Sequence, residues 1–368
     1  MRRRFSVRPR ALAIMVATLI VAELAFRFMA PSSVPVDYRF PDKTLWGIEE
    51  FVSTMSGTPG VRVAVIGDSI VWGKFADSSQ TLSAYMDADY AGEGRQVHAF
   101  NFGMIGAQSY DIYPLADALA RRRAADLLVI NFDYHFYKDA PAVDRYPGLR
   151  SLAAQAPGVG VVMPPPTWAA GLSASPTAGQ PVAAWVSGAS QIVARRGYIL
   201  GATLGGDPSL ALAHAVGVHL PLLRGQAPWS KRTEARLNLG SIRTAYAVPL
   251  LAEDDMCVRY LVEAVRAARA ERVRVVVFAG PLDRGPIEAA GAWDAAVYKA
   301  NIELVRSLVE REGGTFLDLT DAVPAARIYD VHHPLAEGYA SLARALEERI
   351  EPTVRELERE RPARTGAP

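Results

Sequence analysis

The chain of 368 residues contains a single cysteine, Cys257, and this scarcity excludes two kinds of architecture. One cysteine can form neither an intrachain disulfide nor a metal site built from cysteine ligands. An excess of one charge is lacking too, because 40 basic and 39 acidic residues leave a net charge of +1. Such a chain has no overall field that would attract nucleic acid. Hydrophobic residues make up 50% of the chain, enough for one large domain or two ordinary ones.

Sequence signatures of metal and phosphate binding are lacking as well. Four histidines, His98, His135, His214 and His219, do not have the paired spacing of metal ligands. The glycine-rich stretch 201–206 has neither the lysine nor the preceding strand of a phosphate-binding loop. We therefore expect no metal ion and no cofactor.

The N-terminus combines a basic cluster with a long apolar run. Five arginines lie within residues 2–10, and the apolar segment 11–30 follows them. Twenty helical residues cover about 30 Å, the thickness of a bilayer core. Glu23 and Arg27 interrupt the run, but they lie four residues apart, where a helix can pair them. We expect residues 1–30 to form a cytoplasmic basic tip and a single anchor in the inner membrane, with the remaining chain on the periplasmic side.

Two other interpretations of this segment remain open. A cleaved signal peptide would use the shorter apolar region 11–22, but Phe28 stands where its cleavage site needs a small residue. A buried N-terminal core helix is disfavoured by the flanking arginines. We favour the uncleaved anchor.

After a polar, proline-containing linker at 31–58, short β-branched runs alternate with segments of helical periodicity. This alternation predicts an α/β fold, a three-layer α/β/α sandwich around a mainly parallel sheet, over residues 59–350. The predicted strands are 61–66, 96–102, 125–132, 273–279 and 315–319. The predicted helices are 110–123, 256–270, 289–311 and 335–350.

Residues 139–251 break this alternation, since they are rich in alanine, glycine and proline. We interpret them as an insertion between the third and fourth strands. Such an insertion would lie at the carboxyl edge of the sheet, where open α/β folds bind ligands. A cap over a substrate site is the preferred role, and a surface elaboration is the alternative. The charged tail 351–368 is expected to be frayed or disordered.

A candidate nucleophile follows the first strand directly, in the sequence Gly67-Asp68-Ser69. A serine on a tight turn from a strand into a helix is held beside backbone amides and a helix dipole. Glycine before it lets the chain turn sharply. Alone, the tripeptide is also an ordinary turn or helix N-cap.

A second polar cluster near the C-terminus supplies what such a serine needs. It consists of Asp330, His332 and His333, followed by Pro334. A serine hydroxyl is a poor nucleophile without a base within hydrogen-bond reach and an acid that orients the base. Asp330 and His333, three residues apart, can be that acid and that base. A loop histidine pair beside a solvated aspartate is the alternative for this cluster taken alone.

With these two motifs, the sequence resembles the SGNH (GDSL) hydrolase superfamily over about residues 61–135 and 252–350. The resemblance implies Ser69 as nucleophile and Asp330 and His333 as its partners. His332 is the neighbour that could replace His333 as the base.

The resemblance also implies an oxyanion hole formed by the Ser69 amide, a glycine after the second strand and an asparagine after the third. Gly106 is the better match for the glycine, and Gly103 is a turn glycine. The segment at the end of the third strand, residues 131–135, departs from the family pattern Gly-x-Asn-Asp. Asn131 is the only asparagine in this segment, but in a strict alignment with the pattern Tyr134 occupies the asparagine position. Either Asn131 shifts into place or another donor, Tyr134 or His135, replaces it.

The anchor and the resemblance together predict a membrane-anchored, extracytoplasmic serine esterase or O-acyltransferase. Its expected substrate is an acyl group, such as acetyl, on a cell-surface polysaccharide. Its expected partner is a multi-pass membrane acyltransferase. Two alternatives stay open, a lipid-directed esterase or thioesterase, and a catalytically weak scaffold protein of a glycan-assembly complex.

Overall fold

The computed structural model describes residues 45–138 and 237–361, together with the isolated positions 17, 18, 20, 21 and 149. Most of the predicted anchor, most of the predicted insertion and residues 362–368 therefore lie outside the described residues. Among the residues that are described, no helix is both long and apolar enough to cross a membrane.

One sheet of five parallel strands forms the centre of the described fold. The strands in chain order are β1 (Val61–Gly67), β2 (Val97–Gly103), β3 (Leu127–Phe132), β4 (Arg274–Ala279) and β5 (Thr315–Asp318). They lie side by side in the order β2-β1-β3-β4-β5. Every residue of β1 and of β3 is buried, as expected for β-branched strands covered on both faces. All five strands were predicted from the sequence to within two residues at each end.

Helices cover both faces of this sheet, so the predicted three-layer α/β/α sandwich is confirmed in the described part of the chain. The helices are α1 (Leu45–Gly57), α2 (Ser69–Trp72), α3 (Leu82–Gly92), α4 (Ser109–Arg121), α5 (Leu239–Tyr246), α6 (Met256–Ala270), α7 (Arg284–Ala289), α8 (Ala295–Arg311) and α9 (Ala336–Glu360). Short 3₁₀ turns add Ser78–Gln80, Tyr134–Lys138 and Ala325–Arg327.

The alternation of side chains along each strand divides the interior into two hydrophobic cores. On one face, Ala64 and Ile66 of β1 pack with residues of α1, α4, α6 and α8. On the other face, Val63 and Val65 pack with residues of α2, α3 and α9. The two cores fix the rotation of β1, the strand that ends beside Ser69.

The linker predicted at 31–58 is wrong from Leu45 onward, because α1 belongs to the fold. Its buried side chains Ile48, Phe51, Val52 and Met55 follow helical spacing and join the first core. They occupy positions i, i+3, i+4 and i+7, so they lie along one stripe of the helix. The polar residues between them conceal that stripe in the sequence.

The expected frayed tail is also wrong for its first ten residues, because α9 continues to Glu360. Val354 and Leu357 extend the apolar stripe of Ile350 into the second core. Arg95 forms ion pairs with Glu358 at 2.7 Å and with Glu351 at 3.0 Å, and these hold the last turns against α3. The high charge density of this segment reflects its outer face only.

The helix predicted at 289–311 begins six residues later in the structure, where α8 starts at Ala295, and the preceding α7 ends at Ala289. The chain turns between them at Gly291, which has a φ of +64°. Asp294 then caps α8, and its carboxylate accepts hydrogen bonds from the amides of Ala296 and Val297 at 2.9 and 3.0 Å.

The described end of the predicted insertion is part of the main body. Within α5, Ile242 and Tyr246 are buried in the first core. Residues 237–251 therefore belong to the main fold rather than to an insertion.

The order of the strands places a crevice at the carboxyl end of β1. The chain passes from β1 to β2 on one side and then to β3 on the other side. Loops that leave these strands diverge at such a switch point, and this is where open α/β folds bind ligands. The carboxyl ends of β1, β2 and β3, and the loops that follow them, carry all the candidate residues of the N-terminal half.

Candidate active site

The turn that carries Ser69 is shaped by the two residues before it. A Cβ atom on Gly67 would come within 2.6 Å of both Asn131 and Val71, so only glycine fits at this crossing of β1 and α2. Asp68 caps α2, with its Oδ1 accepting a hydrogen bond from the amide of Ile70 at 2.8 Å. Ser69 thus begins a helix at the end of a buried strand.

The structure brings Ser69, His333 and Asp330 together across 264 positions of sequence. Ser69 Oγ lies 2.8 Å from His333 Nε2, and His333 Nδ1 lies 2.8 Å from Asp330 Oδ2. Ser69 and His333 are each 4% exposed. Because each imidazole nitrogen has its own partner, the base is oriented toward the hydroxyl.

Asp330 is held as a carboxylate by the loop around it. Its Oδ1 accepts hydrogen bonds from the amides of Val331, His332 and His333 at 2.6, 3.2 and 3.1 Å. Burial acts to raise its pKa, but the hydrogen bonds from His333 and the two neighbouring imidazoles outweigh it, so the pKa lies well below its usual range. The group that orients the base therefore stays ionised.

His332, the alternative base, has a different environment. Its Nδ1 is hydrogen-bonded to the hydroxyl of Tyr246, and its Nε2 lies 3.8 Å from Asp133 Oδ2. Its ring stacks on that of His333, with 3.9 Å between ring centroids. Burial, then the neighbouring imidazoles, lowers the pKa of His332 well below its ordinary value. His332 is therefore harder to protonate than an ordinary histidine.

The loop after β2 contributes the candidate oxyanion glycine. The amide of Gly103 donates to Asn101 Oδ1 at 2.8 Å, and a Cβ there would clash with the backbone of Trp72. Gly103 is therefore required by the close approach of the Trp72 backbone, and its amide already makes a hydrogen bond. Gly106 is buried in the same loop with a φ of +75°, in the left-handed region that favours glycine.

The third candidate donors lie in three different places. Asn131 is within β3, 3% exposed, and its amide makes no hydrogen bond in the described part of the chain. The Tyr134 hydroxyl accepts from Asn301 in α8 at 3.3 Å. His135 donates to or accepts from Asp133 through Nδ1, at 2.6 Å from Oδ1. Among the three, only the Asn131 amide lacks a partner in the described residues.

Sequence reasoning missed the contribution of four residues to this site. Phe75 places its ring edge-to-face with His333 at 5.4 Å between centroids, and it does so with a φ of +64°. Tyr246 bonds His332 from α5, in the segment interpreted as insertion. Asp68 and Asp133 pair with each other behind Ser69. Only Asp68, within the Gly67-Asp68-Ser69 motif, and Asp133, which directly follows a predicted strand, had a positional signal in the sequence.

Three side chains near Ser69 and His333 carry atoms that could bind a metal ion. Donor atoms of Asp133, His135 and His332 lie within 4.8 Å of one another. Asp133 already contacts His135, and His332 already bonds Tyr246. An ion would have to replace the contact between Asp133 and His135, so the cluster is better described as a hydrogen-bonded network.

Comparison with known proteins reveals similarity of fold only. No protein-family model and no curated protein matches the chain. Similar solved structures include a lipase/acylhydrolase from Enterococcus faecalis, with 12% identity, covering 80% of this chain and 96% of that chain, at a TM-score of 0.40. A carbohydrate acetylesterase from Sinorhizobium meliloti has 13% identity, 80% and 99% coverage and a TM-score of 0.36. An acetylxylan esterase from Geobacillus stearothermophilus, solved as a catalytic mutant, has 13% identity, 80% and 96% coverage and a TM-score of 0.38. Similarity at this level carries no conclusion about the activity of this chain.

Proposed function

We propose that this protein is a serine esterase or O-acyltransferase that works through an acyl group carried on Ser69. The observation that supports the proposal is the unbroken hydrogen-bonded series from Ser69 through His333 to Asp330, with 2.8 Å on each side of the imidazole. Nucleophile, base and orienting acid are thus in the geometry that acyl transfer requires.

The reaction follows from this arrangement. His333 Nε2 accepts the proton of Ser69 Oγ as that oxygen forms a bond to the ester carbonyl carbon. The tetrahedral intermediate collapses when the imidazolium returns the proton to the leaving oxygen, which departs as an alcohol. His333 then takes a proton from the acceptor, either water or a sugar hydroxyl, as the acceptor oxygen attacks the acyl carbon. When the bond from Ser69 Oγ to the acyl carbon breaks, His333 returns this proton to Oγ. Asp330 stabilises the imidazolium in both halves.

The negative oxygen of the tetrahedral intermediate needs hydrogen-bond donors. We assign this role to the backbone amides of Ser69 and Gly106. Asn131 is our candidate for the third donor, because its amide has no hydrogen-bond partner among the described residues.

For the substrate, we propose acyl groups, such as acetyl, on a cell-surface polysaccharide. The supporting feature is in the sequence, where the arginine cluster within 2–10 precedes the apolar segment 11–30. An enzyme anchored in the inner membrane with its site on the periplasmic side would meet surface polymers more readily than soluble metabolites. A multi-pass membrane acyltransferase would be its supplier of acyl groups.

Replacement of Ser69 by alanine tests both parts of the proposal. The purified wild-type protein should react covalently with a fluorophosphonate probe, and Ser69→Ala should not. Ser69→Ala should lower kcat for a chromogenic acetyl ester by about 10⁶-fold, and Asp330→Asn by about 10⁴-fold. Ser79→Ala, at an exposed serine, is the matched control and should behave as wild type. An unlabelled wild-type protein would overturn the proposed activity.

The substrate is tested with the same substitution in cells. The acyl content of the surface polysaccharide should change equally in a deletion strain and in a Ser69→Ala strain. If the acyl content is unchanged in both, the polysaccharide is not the substrate, although the esterase activity itself would stand.

A further inference from the structure

Two buried carboxyl groups, those of Asp68 and Asp133, face each other directly behind Ser69, and the reaction above does not use them. They are 2% and 5% exposed, and their side chains are within hydrogen-bond reach of each other. The Oδ2 atom of each is buried and receives no hydrogen bond from any other group in the described part of the chain. Two carboxylates in such a place repel each other, whereas one proton between them turns the contact into a hydrogen bond.

The remaining atoms of the pair join the two halves of the site. Asp68 Oδ1 accepts from the amide of Ile70 and so fixes the turn that carries Ser69. Asp133 Oδ1 lies 2.6 Å from His135 Nδ1, and its Oδ2 lies 3.8 Å from His332 Nε2. The pair therefore lies between the turn that carries Ser69 and the loop that carries His332 and His333.

We propose that Asp68 and Asp133 share a single proton, and that this proton positions the Ser69 turn against the loop that carries His332 and His333. The inference rests on the proposed function, since it concerns how the same site is held together. Asp68 and Asp133 are positioning residues, because they act through the turn and through His332.

The electrostatic environment agrees with a retained proton. Burial raises the pKa of Asp133 to about 6, and burial together with the charge of Asp133 raises the pKa of Asp68 well above its ordinary value. The hydrogen bond between them favours a proton on Asp68, donated to Asp133. The titratable groups that face the pair from the surrounding elements are His135, Tyr137, Tyr246, Asp330 and His332.

Substitutions at Asp133 separate this role from a merely structural one. Asp133→Asn keeps the shape and can donate an N–H to Asp68, so it should retain kcat within about threefold at neutral pH. Asp133→Ala removes the contact and should lower kcat about 100-fold with little change in KM, the expected effect of a small misplacement of the nucleophile. The wild-type pH profile should decline on its alkaline side as the shared proton leaves, and Asp133→Asn should lack this decline. An equal loss in the two variants, or identical pH profiles for wild type and Asp133→Asn, would contradict the proposal.

The proton can also be observed without any measurement of activity. Infrared difference spectra of the wild-type protein at neutral pH should contain the carbonyl band of a neutral carboxyl group, and Asp133→Asn and Asp68→Asn should each change it. A wild-type protein without this band, or one that contains a stoichiometric divalent cation by elemental analysis, would overturn the shared proton. A protein with the band whose Ser69 does not react with fluorophosphonate would instead contradict the proposed function.

Discussion

At the scale of single residues, the most informative side chain beside the triad is Phe75. It follows α2 and has a φ of +64°, a conformation that costs an L-residue about 1–2 kcal/mol. Its ring packs against Tyr329, with 3.9 Å between centroids, and edge-to-face against His333. The same strained residue thus contacts the base and the residue before Asp330. The ring thus packs against residues on both sides of Asp330, in the loop that carries two of the candidate triad residues.

Substitution of Phe75 should reverse the usual order of alanine and glycine. Phe75→Ala and Phe75→Gly both lose the ring, but only glycine also removes the cost of the positive φ. We expect Phe75→Gly to be more stable than Phe75→Ala by about 1 kcal/mol, measured from urea unfolding midpoints and m-values. Both variants should have a lower kcat than wild type. If alanine is the more stable of the two, Phe75 is not strained.

At the scale of elements, α9 contains a carboxyl group whose ionisation opposes folding. Glu347 packs toward α3, and burial, followed by the charges of Asp89 and Glu93, raises its pKa to about 8. The folded protein therefore keeps a proton on Glu347 that the unfolded chain has already lost. Stability from this group is present at low pH and declines as pH rises from about 4.5 to about 8.

Glu347→Gln should remove this decline. Relative to wild type, the variant should gain in Tm as the pH is raised from 5 to 9, because glutamine never ionises. Glu348→Gln, at the exposed neighbouring position, is the matched control and should follow wild type throughout. A constant difference between Glu347→Gln and wild type over this range would show that Glu347 does not titrate in it.

The elements also differ in how far sequence predicts them. The central strands β1, β3 and β4 were predictable because parallel strands buried on both faces are largely apolar runs. α1 and the end of α9 were missed because their apolar residues occupy one narrow stripe among many charged or polar positions. The two ends of the triad were predictable from local motifs, whereas Phe75 and Tyr246 reach the site only through tertiary packing. No local pattern marks such contacts.

At the scale of the whole molecule, the last turns of α9 connect distant parts of the fold. Arg274 of β4 pairs with Glu356 and Glu360. Arg361 pairs with Asp126, at 3.0 Å, just before β3. The last turns of α9 thus close the amino edge of the sheet, the edge opposite to Ser69.

Truncation tests how much this closure contributes. Removal of the chain after Ile350 exposes the core around Val354 and Leu357 and should lower the free energy of unfolding by about 3 kcal/mol, from two buried aliphatic side chains. Truncation after Arg361 keeps all of these contacts and should leave the unfolding midpoint unchanged. Equal stability of the two truncated proteins would mean that the end of α9 is dispensable.

The distance in sequence between Ser69 and His333 has a consequence for biosynthesis. The nucleophile is synthesised early, but its base arrives 264 residues later, after the last strand. In the proposed mechanism, a nascent chain therefore cannot activate Ser69 until His333 has been synthesised. Reaction of Ser69 would report that the loop carrying His333 has packed beside it. A covalent probe would therefore count folded molecules rather than all synthesised chains. The order of the two motifs in the chain would thus delay the proposed activity until folding is complete.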